Sequence, residues 1–211
     1  MAVTLKGGDS ILFIGDSITD CGRRVHQVGP MGRGYAFLLS SLLSAKFPEQ
    51  QLSFFNRGIS GDRVEDLAAR WSRDAVALRP SLVSLLAGVN DTWRRFDSGD
   101  PTSTQEFGTA YRRILETTRR ETVATLVLCE PFLLPCGLVT REWRDDLDPK
   151  IAVVRSLARE FDAVLVPLDE IFSAAAAATS PDYWAEDGVH PTAAGHALIA
   201  HAWLKHVLDI G

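Results

Sequence analysis

Cysteine is scarce in this chain: Cys21, Cys129 and Cys136 are the three among 211 residues. An odd number rules out complete internal pairing, and none of them stands in a CxxC pair. Neither a disulfide scaffold nor a cysteine-built metal module fits that pattern. Free thiols in a reducing compartment are the expectation. Long apolar runs are also missing. The first run, Ile11 to Ile14, is far shorter than the core of a secretion signal or a membrane span. We therefore expect a cytoplasmic protein with no membrane partner. There is no basic tract. Lys and Arg number 22 against 27 Asp and Glu, a net charge of −5, which leaves no electrostatic footprint for nucleic acid. Nor is there an internal repeat, or a linker rich in Gly, Ser or Pro. One domain spanning residues 1–211 is the expectation, with a small molecule or a neutral polymer as its partner.

What is present is ordinary globular material, 46% hydrophobic and 23% charged, enough for one core. Short continuous apolar runs recur at Ile11 to Ile14, Leu52 to Phe55, Leu82 to Leu86, Leu126 to Cys129 and Ala163 to Val166. Continuity rather than alternation predicts strands buried on both faces of a parallel sheet. Between them, helical spacing covers Tyr35 to Phe47, Val64 to Leu78, Glu106 to Arg120 and Pro149 to Phe161. A last helix, Ala193 to Leu208, follows Pro191-Thr192, a helix-start signal. The order is a three-layer α/β fold with a mostly parallel sheet. Ligands of such sheets sit beyond the carboxyl ends of the strands, so the residues after each run are the candidates for chemistry.

Those residues are Gly15-Asp16-Ser17 after the first run, Asn56-Arg57-Gly58-Ile59-Ser60-Gly61 after the second, and Gly88-Val89-Asn90-Asp91 after the third. Glu130-Pro131 follows the fourth, and Asp187-Gly188-Val189-His190 lies near the C-terminus. A serine, a histidine and a carboxylate are the parts of nucleophilic acyl transfer. Ser17 is the candidate nucleophile, His190 its base, and Asp187 the group that fixes the imidazole. The N–H groups of Ser17 and Gly61 and the side-chain amide of Asn90 are candidates for an oxyanion hole. Asp16, Asp20 and Asp91 read as structural acceptors of backbone N–H groups. The spacing of His196, His201 and His206 does not place them on one helix face as metal ligands require, so solvated or capping roles are expected. Cys21 reads as buried rather than reactive.

The same residues carry a family resemblance. Gly15-Asp16-Ser17, Gly61, Gly88-Val89-Asn90-Asp91 and Asp187-Gly188-Val189-His190 resemble the four blocks of the GDSL, or SGNH, hydrolases, in the family's order and over residues 11–196. The family's leucine is Ile18 here. The resemblance implies a flavodoxin-like fold with five parallel strands in the order 2-1-3-4-5, catalysis by Ser17, Asp187 and His190, and no metal or organic cofactor. Gly15 to Arg23, Asn56-Arg57-Gly58, Ala69-Arg70-Trp71, Asn90 to Arg94 and Tyr183-Trp184 are most similar to intracellular GDSL-type acetylxylan esterases. This implies an acetyl ester on carbohydrate as substrate, with Arg57, Trp93 and Trp184 as candidate substrate contacts. Members of that group form homo-oligomers. A lysophospholipase or thioesterase of the same superfamily, and a non-catalytic carbohydrate-binding protein, are the rival readings. The stretch 131–148 has few local cues, and a lid or a subunit contact both remain open for it.

Overall fold

The computed structural model of the chain describes residues 2–210, so Met1 and Gly211, the ends of the expected single domain, lie outside the described residues. Five strands form one parallel sheet: β1 (Ser10–Gly15), β2 (Ser53–Asn56), β3 (Leu82–Leu86), β4 (Thr125–Cys129) and β5 (Val164–Val166), in the order β2-β1-β3-β4-β5. The register sets Ile11 beside Leu82 and Phe54, and Leu82 beside Thr125. Every residue of β3 is buried, as are Ile11 to Gly15 of β1. That explains the unbroken apolar runs: with helices on both faces, neither side of a central strand meets water.

The helices are α1 (Ser17–Asp20), α2 (Tyr35–Lys46), α3 (Val64–Asp74), α4 (Val89–Asp97), α5 (Thr104–Glu121), α6 (Arg141–Glu160), α7 (Leu168–Ala178), α8 (Pro181–Trp184) and α9 (Ala193–Leu208). One core packs α2, α7, α9 and the first half of α6 on one face of the sheet, around Phe13, Tyr35, Phe172 and Trp203. The other packs α3, α5 and the second half of α6 around Leu12, Trp71, Tyr111 and Val154. A buried indole anchors each face. Trp203 Nε1 donates to Ser84 Oγ of β3 at 3.0 Å, and Trp71 Nε1 donates to Thr118 Oγ1 of α5 at 2.9 Å. No helix among the described residues is long and apolar enough to cross a membrane.

Three elements differ from the sequence expectation. The helix expected over Val64 to Leu78 ends at Asp74 and continues as a 3-10 turn, Val76–Leu78. Asn90 lies in the first turn of α4 rather than in a loop. Its neighbours Asp91 and Thr92 are residues that favour caps and turns, which masks the helix in the sequence. Most notably, α6 starts at Arg141 and runs through Pro149, whereas Pro149 was expected to open it. Proline suits a helix start because it has no N–H to donate. Here the turns before it are held instead by Trp143, Leu147 and Ile151, buried at a spacing of four.

Candidate active site

Ser17, Arg57, Gly61, Asn90 and Trp93 follow the carboxyl ends of β1, β2 and β3, the ligand edge of such folds, and Asp187 and His190 come from the loop between α8 and α9. β1 ends at Gly15, and Asp16 caps the single turn of α1 by accepting the Ile18 N–H on Oδ1 at 3.0 Å. Ser17 is the first residue of that turn, so its own N–H has no acceptor within the helix. Ser17 Oγ lies 2.9 Å from His190 Nε2, across 173 residues of sequence, and His190 Nδ1 lies 2.6 Å from Asp187 Oδ2. The second carboxylate oxygen of Asp187 accepts the backbone N–H groups of Val189 at 2.9 Å and His190 at 2.7 Å. With Asp187 ionised, Nδ1 carries the imidazole proton and Nε2 presents a lone pair to the serine hydroxyl.

Electrostatics follow this geometry. Partial burial of Asp187 works to raise its pKa. The hydrogen bonds from the His190 ring and from the two backbone N–H groups overcome that and hold it at about 2. The hydrogen bond to Asp187 raises the His190 pKa above the ordinary 6.5, against partial burial, with the charges of Asp187 and Asp16 adding to the rise. Asp16 is different. Its Oδ2 is buried without a partner, and burial pushes its carboxyl up to about 7.

The loop after β2 hangs on the nucleophile strand: Ile59 N donates to Gly15 O at 3.0 Å. Asn90 Nδ2 donates to Asp62 O at 3.0 Å, which holds the amide beside Gly61 and leaves its second proton free. Asp91, fully buried, accepts the Val64 N–H at 3.2 Å and so ties the start of α3 to α4. Asp20 accepts Ser60 N at 3.1 Å and Ser60 Oγ at 3.0 Å. Arg94 reaches the same loop: its Nη2 would lie 3.4 Å from a Cβ added at Gly61, while Nη1 binds Asp97. Trp93 stands over the histidine, ring centres 5.6 Å apart, and is backed edge-on by Trp143 at 5.4 Å. A cleft of about 400 Å³ beside His190 is lined by Glu186, Asp187, Pro191, Thr192 and Ala193. Arg57, half-buried, follows directly on β2.

Trp184 joins the cleft through its backbone, its carbonyl accepting the Thr192 N–H at 2.8 Å. Its indole N–H donates to Thr179 Oγ1 at 2.8 Å and its ring packs edge-on against Tyr183. His196 is not solvated; of the two roles expected for it, it takes the capping one, at the first N–H of α2. It is buried, accepts the Tyr35 N–H on Nδ1 at 3.2 Å and faces Cys21 Sγ at 3.3 Å through Nε2. Burial lowers its pKa to about 4. The reason is its place in the first turn of α9, which abuts the start of α2 rather than water. Cys21, at the end of α1, is half-buried, and burial raises its thiol pKa, the direction of an unreactive thiol. Among the described residues no three His, Cys, Asp or Glu side chains converge as a metal ion would need.

Sequence reasoning missed the support of the Asp187 loop. Residues 132–139 form a brace. Leu134 N donates to Gly188 O at 2.9 Å, Leu138 N to Asp187 O at 3.3 Å, and the Cys136 thiol to Ala185 O at 3.1 Å. Phe132, Leu133 and Leu134 are buried, so this part of the stretch left open as a lid is fixed in the core. Two glycines interlock there, both in the left-handed region: Gly137 at φ +59° and Gly188 at φ +83°. A Cβ on Gly137 would sit 2.5 Å from Asp187 Cα, and one on Gly188 2.5 Å from Leu134 O. The positive-φ glycine was the available signal, but glycine reads only as a turn without the contact across it.

The GDSL-like lipase/acylhydrolase family profile covers residues 13–198. An acetylxylan esterase of Geobacillus stearothermophilus is 35% identical over 210 residues, spanning 96% of this chain and 95% of that protein. A crystal structure of a GDSL-like lipase candidate from Parabacteroides merdae superposes with a TM-score of 0.93 at 33% identity, covering 98% of both chains. The solved acetylxylan esterase of Geobacillus stearothermophilus gives 0.88 at 33%, covering 97% of this chain and 96% of that one. Catalytic mutants of that esterase have been solved with alanine replacing a serine, an aspartate or a histidine. With the sheet order, the ordered blocks and this kinship in agreement, the chain belongs to the GDSL-like lipase/acylhydrolase family and is a carboxylic-ester hydrolase.

Proposed function

We propose that the protein removes acetyl groups from short acetylated carbohydrates, of the xylo-oligosaccharide kind, through an acetyl-enzyme on Ser17. The observation that carries this reading is the hydrogen-bonded row from Ser17 Oγ through the His190 ring to Asp187. His190 takes the Ser17 proton as the oxygen attacks the acetyl carbonyl. The N–H groups of Ser17 and Gly61 and the amide of Asn90 receive the negative charge that forms on the carbonyl oxygen. Each such donor is worth about a hundred- to a thousand-fold in rate. The imidazolium, held by Asp187, then protonates the departing sugar alcohol. Water activated by the same ring attacks the acetyl-enzyme, and acetate leaves as Ser17 recovers its proton. Arg57, Trp93 and Trp184 are the proposed substrate contacts.

Glu186, Asp187 and Thr192 on the cleft beside His190 offer hydrogen-bond partners to the hydroxyl groups of a sugar. Three unpaired thiols suit a cytoplasmic place, and assembly into homo-oligomers is part of the proposal. The test is hydrolysis of p-nitrophenyl acetate by wild type and Ser17→Ala, then acetate release from acetylated xylobiose. Loss of both activities in the variant is expected. A Ser17→Ala protein with full activity would sink the mechanism, and a rate that climbs from acetyl to octanoyl esters would replace the substrate.

A further inference from the structure

Arginines in this acidic chain mostly hold carboxylates. Arg63 binds Asp100, Arg70 binds Asp62 and Asp74, Arg144 binds Asp148 and Asp169, and Arg155 binds Glu130 and Glu170. Seven arginines among the described residues break the habit: besides Arg79, Arg119, Arg141 and Arg159, three stand at one corner of the active-site edge. Among the described residues, Arg23, Arg33 and Arg57 have no carboxylate within ion-pair distance. Arg23 and Arg57 are half-buried, and Arg33 is exposed above them.

The three share one place. Arg23 Nε donates to Gly58 O at 2.6 Å, the carbonyl next to Arg57. Arg33 Nε lies 3.8 Å from where a Cβ on Gly22 would stand, over the backbone that leads into Arg23. Burial lowers the Arg23 pKa, and the positive charges of Arg57, Arg24 and Arg70 lower it further against the pull of Asp20. Asp20, the carboxylate of this corner, binds Ser60 N, Ser60 Oγ and Arg24 Nε through Oδ2, and its Oδ1 is buried without a partner. A half-buried guanidinium gives up hydration, and one carboxylate shared among several arginines returns only part of it. An arriving anion would return it, and the planar fork of arginine matches a carboxylate with two parallel N–H···O bonds.

The corner adjoins the nucleophile. Ser17 opens α1, and its single turn, about 5 Å long, ends at Cys21, two residues before Arg23. Gly58 is pressed against that turn, since a Cβ there would lie 2.2 Å from Asp20 N. Gly61, the proposed oxyanion donor, lies three residues beyond Gly58 on the same loop.

We propose that Arg23, Arg33 and Arg57 form a carboxylate subsite, and that the preferred substrates are acetyl esters of acidic sugars, of the hexuronic acid class, bound with the carboxylate on these arginines. This rests on the esterase reading of Ser17 and names its substrate class. The acetyl group must then be placed by a reaction that acylates an acidic saccharide, and the product passed on is a free uronic-type sugar.

The deciding comparison is between an acetylated methyl glucuronoside and its neutral twin, the same molecule with the carboxyl group methylated. Wild type should show at least a tenfold higher kcat/KM for the acid, expressed in KM. The gap should shrink in 0.5 M NaCl, where partly exposed charges are screened. The Arg23→Gln/Arg57→Gln double variant should bring the two substrates to within twofold of each other. A wild-type ratio already within twofold overturns the subsite. If wild type hydrolyses neither ester, the carbohydrate esterase reading fails by itself, and calorimetric titration with methyl glucuronoside and methyl glucoside decides the subsite. Binding of the acid alone supports it. Equal binding, or none, overturns it.

Discussion

Asp187 and His190 titrate in opposite directions from their ordinary values, and this sets two pH windows. Their mutual attraction stabilises the fold where Asp187 is ionised and His190 is protonated. It is lost on acidification as pH falls through the low pKa of Asp187, about 2, and on the basic side as pH rises through the raised pKa of His190. The proposed mechanism needs the reverse state of the ring, because only neutral His190 accepts the Ser17 proton. We expect kcat/KM to climb with pH through a pKa above 6.5, read from a pH–rate profile on a small acetyl ester. Asp187→Asn should move that limb downward and cut kcat by about a thousand- to ten-thousand-fold. His196 supplies a contrasting case. Its pKa near 4 means that the unfolded chain takes up a proton between pH 6.5 and about 4 that the folded chain refuses. Its contribution to stability should therefore fall by about 1.4 kcal/mol per pH unit through that window. His196→Asn keeps an acceptor for the Tyr35 N–H without the titration. The gap in urea midpoint between wild type and this variant should narrow as pH drops.

At the scale of elements, the brace over the Asp187 loop is the feature with a mechanical consequence. Gly137 and Gly188 interlock with no room for a Cβ on either. Gly137→Ala must push Asp187 aside, and displacement of about 1 Å costs on the order of a hundred-fold in rate. Steady-state kinetics should show that loss in kcat, with KM nearly unchanged. A variant with wild-type kcat would show that the loop tolerates the shift. The same brace marks where the sequence ceased to be readable. The strands were legible because each is a continuous apolar run, and α9 because Thr192 caps it by accepting the Gly195 N–H. Ser17, Asn90 and the Asp187–His190 loop were legible from small polar residues placed at strand ends. The segment 131–148 was not, because its order comes from backbone bonds to a loop some fifty residues away, and no local pattern encodes them. α6 was misplaced for a related reason: its first half is held by the core against the local signal of Pro149. Which of its two expected roles His196 takes was not legible either, since a histidine in a helix looks alike whether it faces water or a neighbouring N–H.

For the molecule as a whole, both cores lie against one sheet, and Trp203 joins the last helix to its central strand. We expect a single cooperative unfolding transition, with calorimetric and van't Hoff enthalpies equal, which is the test of one domain. Trp203→Ala should remove about 3–5 kcal/mol, the usual cost of emptying a large aromatic site, and lower the midpoint seen by every probe alike. Two resolved transitions would divide the chain instead. The 173 residues between Ser17 and His190 also have a meaning in time. The serine leaves the ribosome first, and at ordinary synthesis rates its base follows about 10–35 s later. Through that interval the nascent chain carries a plain hydroxyl with nothing to take its proton. On the proposed mechanism, ester cleavage begins only when the C-terminal loop and α9 dock, so a growing or prematurely ended chain is chemically silent.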